Sequence, residues 1–364
     1  MRAALAVLAT VLLAAPAASA KPIRIGAAFS LTGTASVYGT SQRQGAQLAI
    51  SQIGKVNGRR LRLDVIDDAS DAATATSAFT TLIGRGARVL LGPTLSTAAL
   101  QADVVANRRH TAVLGISNTV DGITEIGRWV FRNSLAESVV QPETVRVSHA
   151  KLGYTSAAIV WATPDAFSAA SHTAFQNALT RQGVDIIADQ SFASSDPEAY
   201  KAAVDTADAA KPEALIIAAL AGDVAKVMTY ARSLPDLASV PFIGGNSFNT
   251  PGLAAQAGSA AEGAISGAAW IASRATPGNA AFVRTYTARF GHAPDQFAAQ
   301  AYAGVQLIAA AVRRSGASRS ALRDGLAGLR NRATVLGRFS FTKGREPVYV
   351  PVVQRIAGAG YEPL

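Results

Sequence analysis

The amino-acid sequence reads as α/β, organised as two doubly wound parallel-sheet lobes. Short apolar runs alternate with segments of helical spacing along most of the chain, and such alternation implies βαβ units with parallel strands. The alternation comes in two successive series, each long enough to make a sheet of its own. Hydrophobic residues make up 49% of the chain and aromatic residues only 7%. An apolar mass drawn from Ala, Val, Leu and Ile suits helices packed on strands that are buried on both faces. At 364 residues the chain also exceeds the roughly 250 to 300 residues at which a single core stops growing.

Residues 1–20 are set apart. Met1-Arg2, the apolar run from Ala3 to Ala15 and the small residues Ala18-Ser19-Ala20 have the order of a secretory leader, with cleavage expected after Ala20. A retained anchor is the other reading; the run is short against the roughly 20 residues of a spanning helix and is followed by Pro16. The first series has strands at Ile23 to Phe29, Leu61 to Ile66, Val89 to Leu91 and Thr111 to Ile116. Between Gly39 and Ile53 the residues Ala46, Ala49, Ile50 and Ile53 recur at three and four, which predicts a helix. The second series has strands at Ala157 to Trp161, Val184 to Ile187, Ala214 to Ala218 and Val240 to Ile243, with helices over Phe167 to Gln182, Glu198 to Ala209 and Asp223 to Arg232. Ala280 to Leu329 is helical in pattern. Thr334 to Phe341 and Val348 to Ile356 then read as a hairpin-like pair around Lys343-Gly344-Arg345. No repeat or Pro/Ser-rich linker divides the halves, which fits several chain crossings better than beads on a string.

Composition excludes several function classes. The chain has no cysteine, which removes disulfides, thiolate metal sites, cysteine nucleophiles and the lipid-attachment cysteine of lipoproteins. The formal net charge of +10 comes from arginines scattered singly or in pairs, without the basic runs and interleaved aromatics of a nucleic-acid binder. His110, His149, His172 and His292 are far apart and show no metal spacing. There is no G-x-S-x-G, no dinucleotide fingerprint and no P-loop. No cofactor, metal or catalytic machinery is therefore expected. Asp67-Asp68 ends a strand, either as a carboxylate pair or, with Asp68 or Asp71, as the cap of the next helix.

Two strand-to-helix junctions are rich in small hydroxyl residues: Leu91-Gly92-Pro93-Thr94-Leu95-Ser96-Thr97 and Gly115-Ile116-Ser117-Asn118-Thr119. Junctions of this kind bring free backbone N–H groups and hydroxyls to the carboxyl end of a parallel sheet. They hold a carboxylate there through the helix terminus, or else Ser96 and Thr119 serve as plain helix caps.

Ile23-Arg24-Ile25-Gly26, Leu31-Thr32-Gly33, Val37-Tyr38-Gly39, Gln44-Gly45-Ala46, Gly58-Arg59-Arg60-Leu61, Leu91-Gly92-Pro93, Ser117-Asn118-Thr119, Val130-Phe131-Arg132, Asp165-Ala166-Phe167 and Ala301-Tyr302 stand in an order that resembles the periplasmic leucine/isoleucine/valine-binding proteins of ABC transporters. The likeness covers nearly the whole chain after residue 20. It implies the type I periplasmic-binding fold, two lobes joined by a three-crossing hinge, with crossings near Arg132 to Ala136, Gly263 to Ala268 and Gly337 to Phe341. One lobe would hold residues 21–134 and 267–338, the other 135–266 and 339–364.

By the same resemblance the function is that of a periplasmic solute-binding component, a monomer that hands a small molecule to an inner-membrane ABC permease and contacts no nucleic acid. Ser96, Ser117 and Thr119 would hold a ligand carboxylate, and Tyr38 and Phe167 would cover the ligand from either side. Where amino-acid binders of the family carry an acid for the ammonium, this chain has Asn246, and a tyrosine of the family aligns with Leu220. An amide cannot neutralise a buried ammonium. The ligand is therefore expected to be a small carboxylate with an apolar or aromatic body, in a pocket that Leu220 and Phe248 help to shape; an α-amino acid would need another acid, for which Asp121 is a candidate beside its reading as a turn cap. Trp161 either lines the cleft or fills core. A sensory module and a periplasmic amide or ester hydrolase are the competing functions.

Overall fold

A computed structural model describes residues 21–364, so the expected leader and its cleavage site lie outside the described residues. The first sheet is built from β1 (Ile23–Phe29), β2 (Lys55–Val56), β3 (Arg59–Asp67), β4 (Val89–Leu91), β5 (Ala112–Gly115) and β6 (Val130–Arg132), with helices α1 (Ser36–Ile53), α2 (Ala72–Gly84) and α3 (Ser96–Arg108) between them. The strands lie in the order β2-β3-β1-β4-β5-β6, parallel except for β2. All seven residues of β1 but Arg24 are buried, as a central strand covered on both faces requires.

The chain then enters α4 (Glu137–Leu152) and a second βα series: β7 (Ser156–Thr163), α5 (Ala166–Arg181), β8 (Asp185–Ala193), α6 (Ala199–Ala210), β9 (Ala214–Ala218), α7 (Ala221–Ala231), β10 (Phe242–Gly244), α8 (Pro251–Ala257) and β11 (Ile265–Ala268). Helices α9 (Asn279–Phe290), α10 (Gln296–Ser315) and α11 (Arg319–Ala327) return to the first lobe, followed by β12 (Arg332–Thr334), β13 (Gly337–Phe341), β14 (Pro347–Val348), β15 (Val352–Ala357) and β16 (Gly360–Pro363). The second sheet runs β16-β15-β11-β10-β9-β7-β8. Its five series strands are parallel, and β15 and β16 add antiparallel at the edge. The two doubly wound lobes expected from the alternation are present.

Each core is assembled across sequence. Phe29, Leu91 and Leu114 of the first sheet share one cluster with Phe282 and Tyr286 of α9, Leu307 and Ile308 of α10, and Leu322 of α11. Helix α1 reaches α10 closely because Gly45 has no side chain; a Cβ there would lie 2.1 Å from the Ala298 carbonyl oxygen. In the second lobe, Val145 of α4 clusters with Ile159 of β7, Phe175 of α5 and Ile265 of β11.

The last passage between lobes differs from the expectation. Thr334 to Phe341 and Val348 to Ile356 do not form one hairpin: β13 pairs with β12 and β14, whereas β15 pairs with β11 in the other sheet. Phe339 and Phe341 belong to the first core, with Phe341 edge-on to Phe131 at 5.3 Å. Arg132, almost wholly buried, donates to Glu346 at 2.6 Å and holds the β13–β14 turn on the first lobe. The chain therefore crosses between Tyr349, packed on the first core, and Val352, and the expected boundary at 338/339 cuts through a strand that belongs wholly to lobe 1.

Candidate functional site

In each sheet the strand order reverses direction once, between β1 and β4 in the first lobe and between β7 and β9 in the second. Ligands of open α/β sheets bind outside the carboxyl ends of the strands at such switch points. Here the two switch points face each other. The segments that leave β1, β4, β7 and β9 carry Tyr38, Ser96, Phe167 and Leu220, and these four line one small cavity with Thr94, Leu95, Ser117, Asn246, Ser247 and Phe297. Six of the eight residues expected at the site are thus brought together; Thr119 and Phe248 are not on its surface. The cavity measures about 30 Å³, room for one or two water molecules.

On the first lobe the wall is the start of α3. Its N-cap residue, Leu95, offers no side-chain cap, so the N–H groups of Ser96, Thr97 and Ala98 have no acceptor within the helix. The Ser96 hydroxyl accepts the Thr119 N–H at 3.1 Å and gives its own proton to no acceptor among the described residues. A carboxylate placed here meets N–H groups, a hydroxyl proton and the positive end of a helix. Ser117 is more constrained: its hydroxyl donates to the Thr94 carbonyl at 2.6 Å and accepts from Gln42 at 2.7 Å. Thr119 acts from behind, through the N–H that orients Ser96 and a carbonyl that accepts from Glu137 N–H at 2.9 Å.

Tyr38 joins the lobes. Gly39 lets the start of α1 approach β1, since a Cβ there would stand 2.0 Å from the Ser30 carbonyl oxygen. The Tyr38 ring then packs against Phe297 at 4.6 Å and reaches the second core. Its hydroxyl accepts the Ala221 N–H at 2.7 Å. Ala221 opens α7, whose N-cap Leu220 supplies no side-chain cap, so a residue of one lobe caps a helix of the other. Burial pushes the Tyr38 hydroxyl pKa far up, keeping it protonated. A second link lies beside it: the Thr97 hydroxyl donates to Asp165 at 3.0 Å and accepts from Ala166 N–H at 3.1 Å. The lobes are therefore latched together.

The second-lobe wall is polar and mostly committed to itself, apart from the Ser247 hydroxyl, which lines the cavity and has no partner among the described residues. Asn246 donates to Glu137 at 2.9 Å and accepts from Gln296 at 2.8 Å. Glu137 also accepts from Gln141, and the hydroxyls of Thr119 and Ser171 face it. Gln296 further accepts from Ala269 N–H at 2.9 Å and Asn249 at 3.3 Å, and Asn249 accepts from Ser266 and Gln354. This network crosses the hinge, tying α4, β11 and β15 to the start of α10. Burial raises the Glu137 carboxyl pKa, opposed by hydrogen bonds from Gln141 and Asn246.

Several expectations fall elsewhere. Phe248 is core: its ring lies where a Gly244 side chain would be, 2.2 Å from that Cβ position, among the second-lobe apolar residues. Asp121 is exposed, outside the cavity, and accepts from the Ser138 hydroxyl at 2.5 Å. Trp161 stacks on His172 at 4.3 Å and is absent from the cavity lining. Asp71 caps α2 through Thr74 N–H, and Asp68 is buried against Ser30; the adjacent carboxylates do not act as a pair. Sequence reasoning missed Ser247, Phe297, Glu137 and Gln296. Glu137 follows the first crossing directly, and a glutamate at a hinge exit was the one signal available.

No group of three or more His, Cys, Asp and Glu suited to a metal occurs among the described residues, nor any helix long and apolar enough to cross a membrane. Two lobes meeting at their switch points around an inter-lobe cavity define a binding protein of the type I periplasmic-binding fold. The periplasmic binding protein family model matches residues 22–354, and the chain belongs to that family, which is one of solute-binding proteins and not of enzymes. A Leu/Ile/Val-binding protein, BraC3 of Rhizobium johnstonii, is 30% identical over 108 residues, a stretch that spans only 29% of either chain. Among solved structures, the leucine binding protein LivK from Thermotoga maritima superposes with a TM-score of 0.88 at 19% identity, over 94% of this chain and 97% of that one. A solute binding protein of an ABC transporter from R. palustris, in complex with benzoate, gives 0.85 at 25% identity over 94% and 95%. The resemblance read from the sequence motifs is borne out.

Proposed function

We propose that this chain is the extracytoplasmic solute-binding component of an ABC importer of the branched-chain amino acid type, and that its ligand is a carboxylate with an apolar or aromatic body rather than an α-amino acid. One observation carries the ligand class. Among the described residues no acid lines the inner cavity, while Ser96, at the uncapped start of α3, opens on it with a free hydroxyl proton. A carboxylate is satisfied there, whereas an ammonium would be buried without a counter-charge, at a cost of several kcal/mol in order of magnitude. The benzoate-bound relative is in keeping with that chemistry.

In this reading Ser96 holds the carboxylate and Ser117 and Thr119 shape its seat, while Tyr38 and Phe167 close over that seat and Leu220 meets the body. Asn246 completes the wall without meeting a charge. Closure is a population shift: contacts a ligand makes only when both lobes touch it favour the closed form, and the closed form is what an inner-membrane permease reads. The protein acts as a periplasmic monomer after removal of residues 1–20. Thermal-shift screening of the chain from Lys21 onward tests the ligand class. Benzoates and branched-chain 2-oxo or des-amino acids are expected to raise Tm, and the matching α-amino acids to do so less; the reverse order would overturn it.

A further inference from the structure

The closed arrangement leaves its space in an unexpected place. Inside the latch there is only about 30 Å³, enough for a carboxylate head and not for a body. Outside it, a groove of about 860 Å³ runs between the same two lobes, within the range of whole small-molecule sites. Leu95 and Leu220 line both spaces, which are therefore adjacent. Thr97 and Asp165, the partners of the cross-lobe hydrogen bond, line the groove, so it persists with the lobes latched.

The groove's lining holds two carboxylates and one lysine, and both carboxylates already have hydrogen-bond partners. The Asp165 carboxylate is occupied by Thr97 and by Ser168 N–H at 2.8 Å. Asp223 is occupied by Ser194 at 2.7 Å and Lys226 at 3.1 Å. With both acids taken up, the remaining wall is aromatic and hydroxylic: Tyr200 and Tyr230 stand edge to face at 6.0 Å, beside Thr34 and Thr229.

We infer that the site takes elongated carboxylates, seated by their head at Ser96 and threaded between Leu95 and Leu220 so that an uncharged, aryl-bearing tail lies in the outer groove. This deepens the ligand class proposed above and rests on that reading of Ser96. An amino acid the size of leucine would leave the groove to solvent; a longer body fills it.

The test is calorimetric titration with benzoate, 3-phenylpropanoate, 4-phenylbutanoate and 6-phenylhexanoate. Affinity is expected to rise at least tenfold from the first to the best of the longer acids. Thr229→Trp and Gln256→Trp place a ring in the groove from exposed positions; each should weaken the longer acids about tenfold and leave benzoate within twofold. Ser96→Ala should weaken every acid in the series. An affinity flat or falling along the series, or one that neither tryptophan changes, overturns the inference while a Ser96→Ala loss leaves the carboxylate seat standing. No effect of Ser96→Ala, or no binding by any of the four, overturns both.

Discussion

Both lobes turn the carboxyl ends of a parallel sheet toward the cleft, and both place helix N-termini and polar side chains there, yet the two walls commit most of those groups differently. On the first lobe the start of α3 keeps its donors open: Leu95 provides no cap, and the Ser96 proton is uncommitted. On the second, Asn246, Glu137, Gln141 and Gln296 bond to one another and fasten the hinge, leaving the Ser247 hydroxyl open on that side. Open donors form a ligand seat, because a buried polar group left without a partner is costly until something fills it. Closed networks form a frame. A position of similar polarity thus has a different role on each wall, decided by whether its hydrogen bonds are already taken.

The sharpest way to break this contrast is at Glu137. Glu137→Ala strands the amides of Asn246 and Gln141 and opens a void, and should lower unfolding stability by about 3 to 5 kcal/mol, read as the denaturant midpoint. The preference for a carboxylate over its primary amide should survive. If stability is unchanged and that preference is lost, the second wall is a ligand seat as well.

A committed carboxyl on the first-lobe side gives the next effect. Asp295 caps α10 through Ala298 N–H and accepts from Ser41, both at 2.8 Å, and burial pushes its pKa up to about 6. An acid whose folded pKa lies above its unfolded value contributes most at low pH, where both states are protonated. Stability then falls as pH rises from about 4 to about 6, by about 2 to 3 kcal/mol from this group. Asp295→Asn, which keeps a capping oxygen, should flatten that part of the pH profile; parallel profiles for the two proteins would contradict it.

Smaller changes sharpen the contrast without disturbing the fold. Ser96→Ala removes one donor to a charged group, and should cost about 2 kcal/mol of binding, roughly thirtyfold in Kd; it also leaves the buried Thr119 N–H without its acceptor, so the Tm of the free protein should fall by a few degrees. Tyr38→Phe removes the acceptor that caps α7 across the cleft. It should shift the balance toward the open form by about 1 kcal/mol, seen as a larger radius of gyration in solution scattering and a ligand affinity weakened about fivefold.

Much of the site could be read from residue patterns because it sits where local sequence and topology coincide. The run Leu91 to Thr97 announces a strand, a turn and a helix start, and a strand's carboxyl end is where an α/β cleft lies; that marks Ser96 as a candidate, whereas Tyr38 and Phe167 come from the family resemblance. Phe248 was misplaced because an aromatic after a glycine-rich turn reads the same whether its ring enters the cleft or folds back over Gly244. Glu137 was missed for a different reason. Its role depends on burial beneath Asn246, a residue more than a hundred positions away, and its place just after the first crossing is the single local mark. The third crossing was set too early because β13 and β15 are both short apolar strands, and only the Arg132–Glu346 pair and the Phe131–Phe341 contact assign β13 to the first lobe.

The most direct measurement is a paired titration: a carboxylate that stabilises the protein and its primary amide, each against the wild-type chain and Ser96→Ala. The open wall of the first lobe predicts at least tenfold preference for the carboxylate in the wild type and most of that preference gone in Ser96→Ala. Equal affinity for acid and amide, or a preference untouched by the substitution, would contradict it.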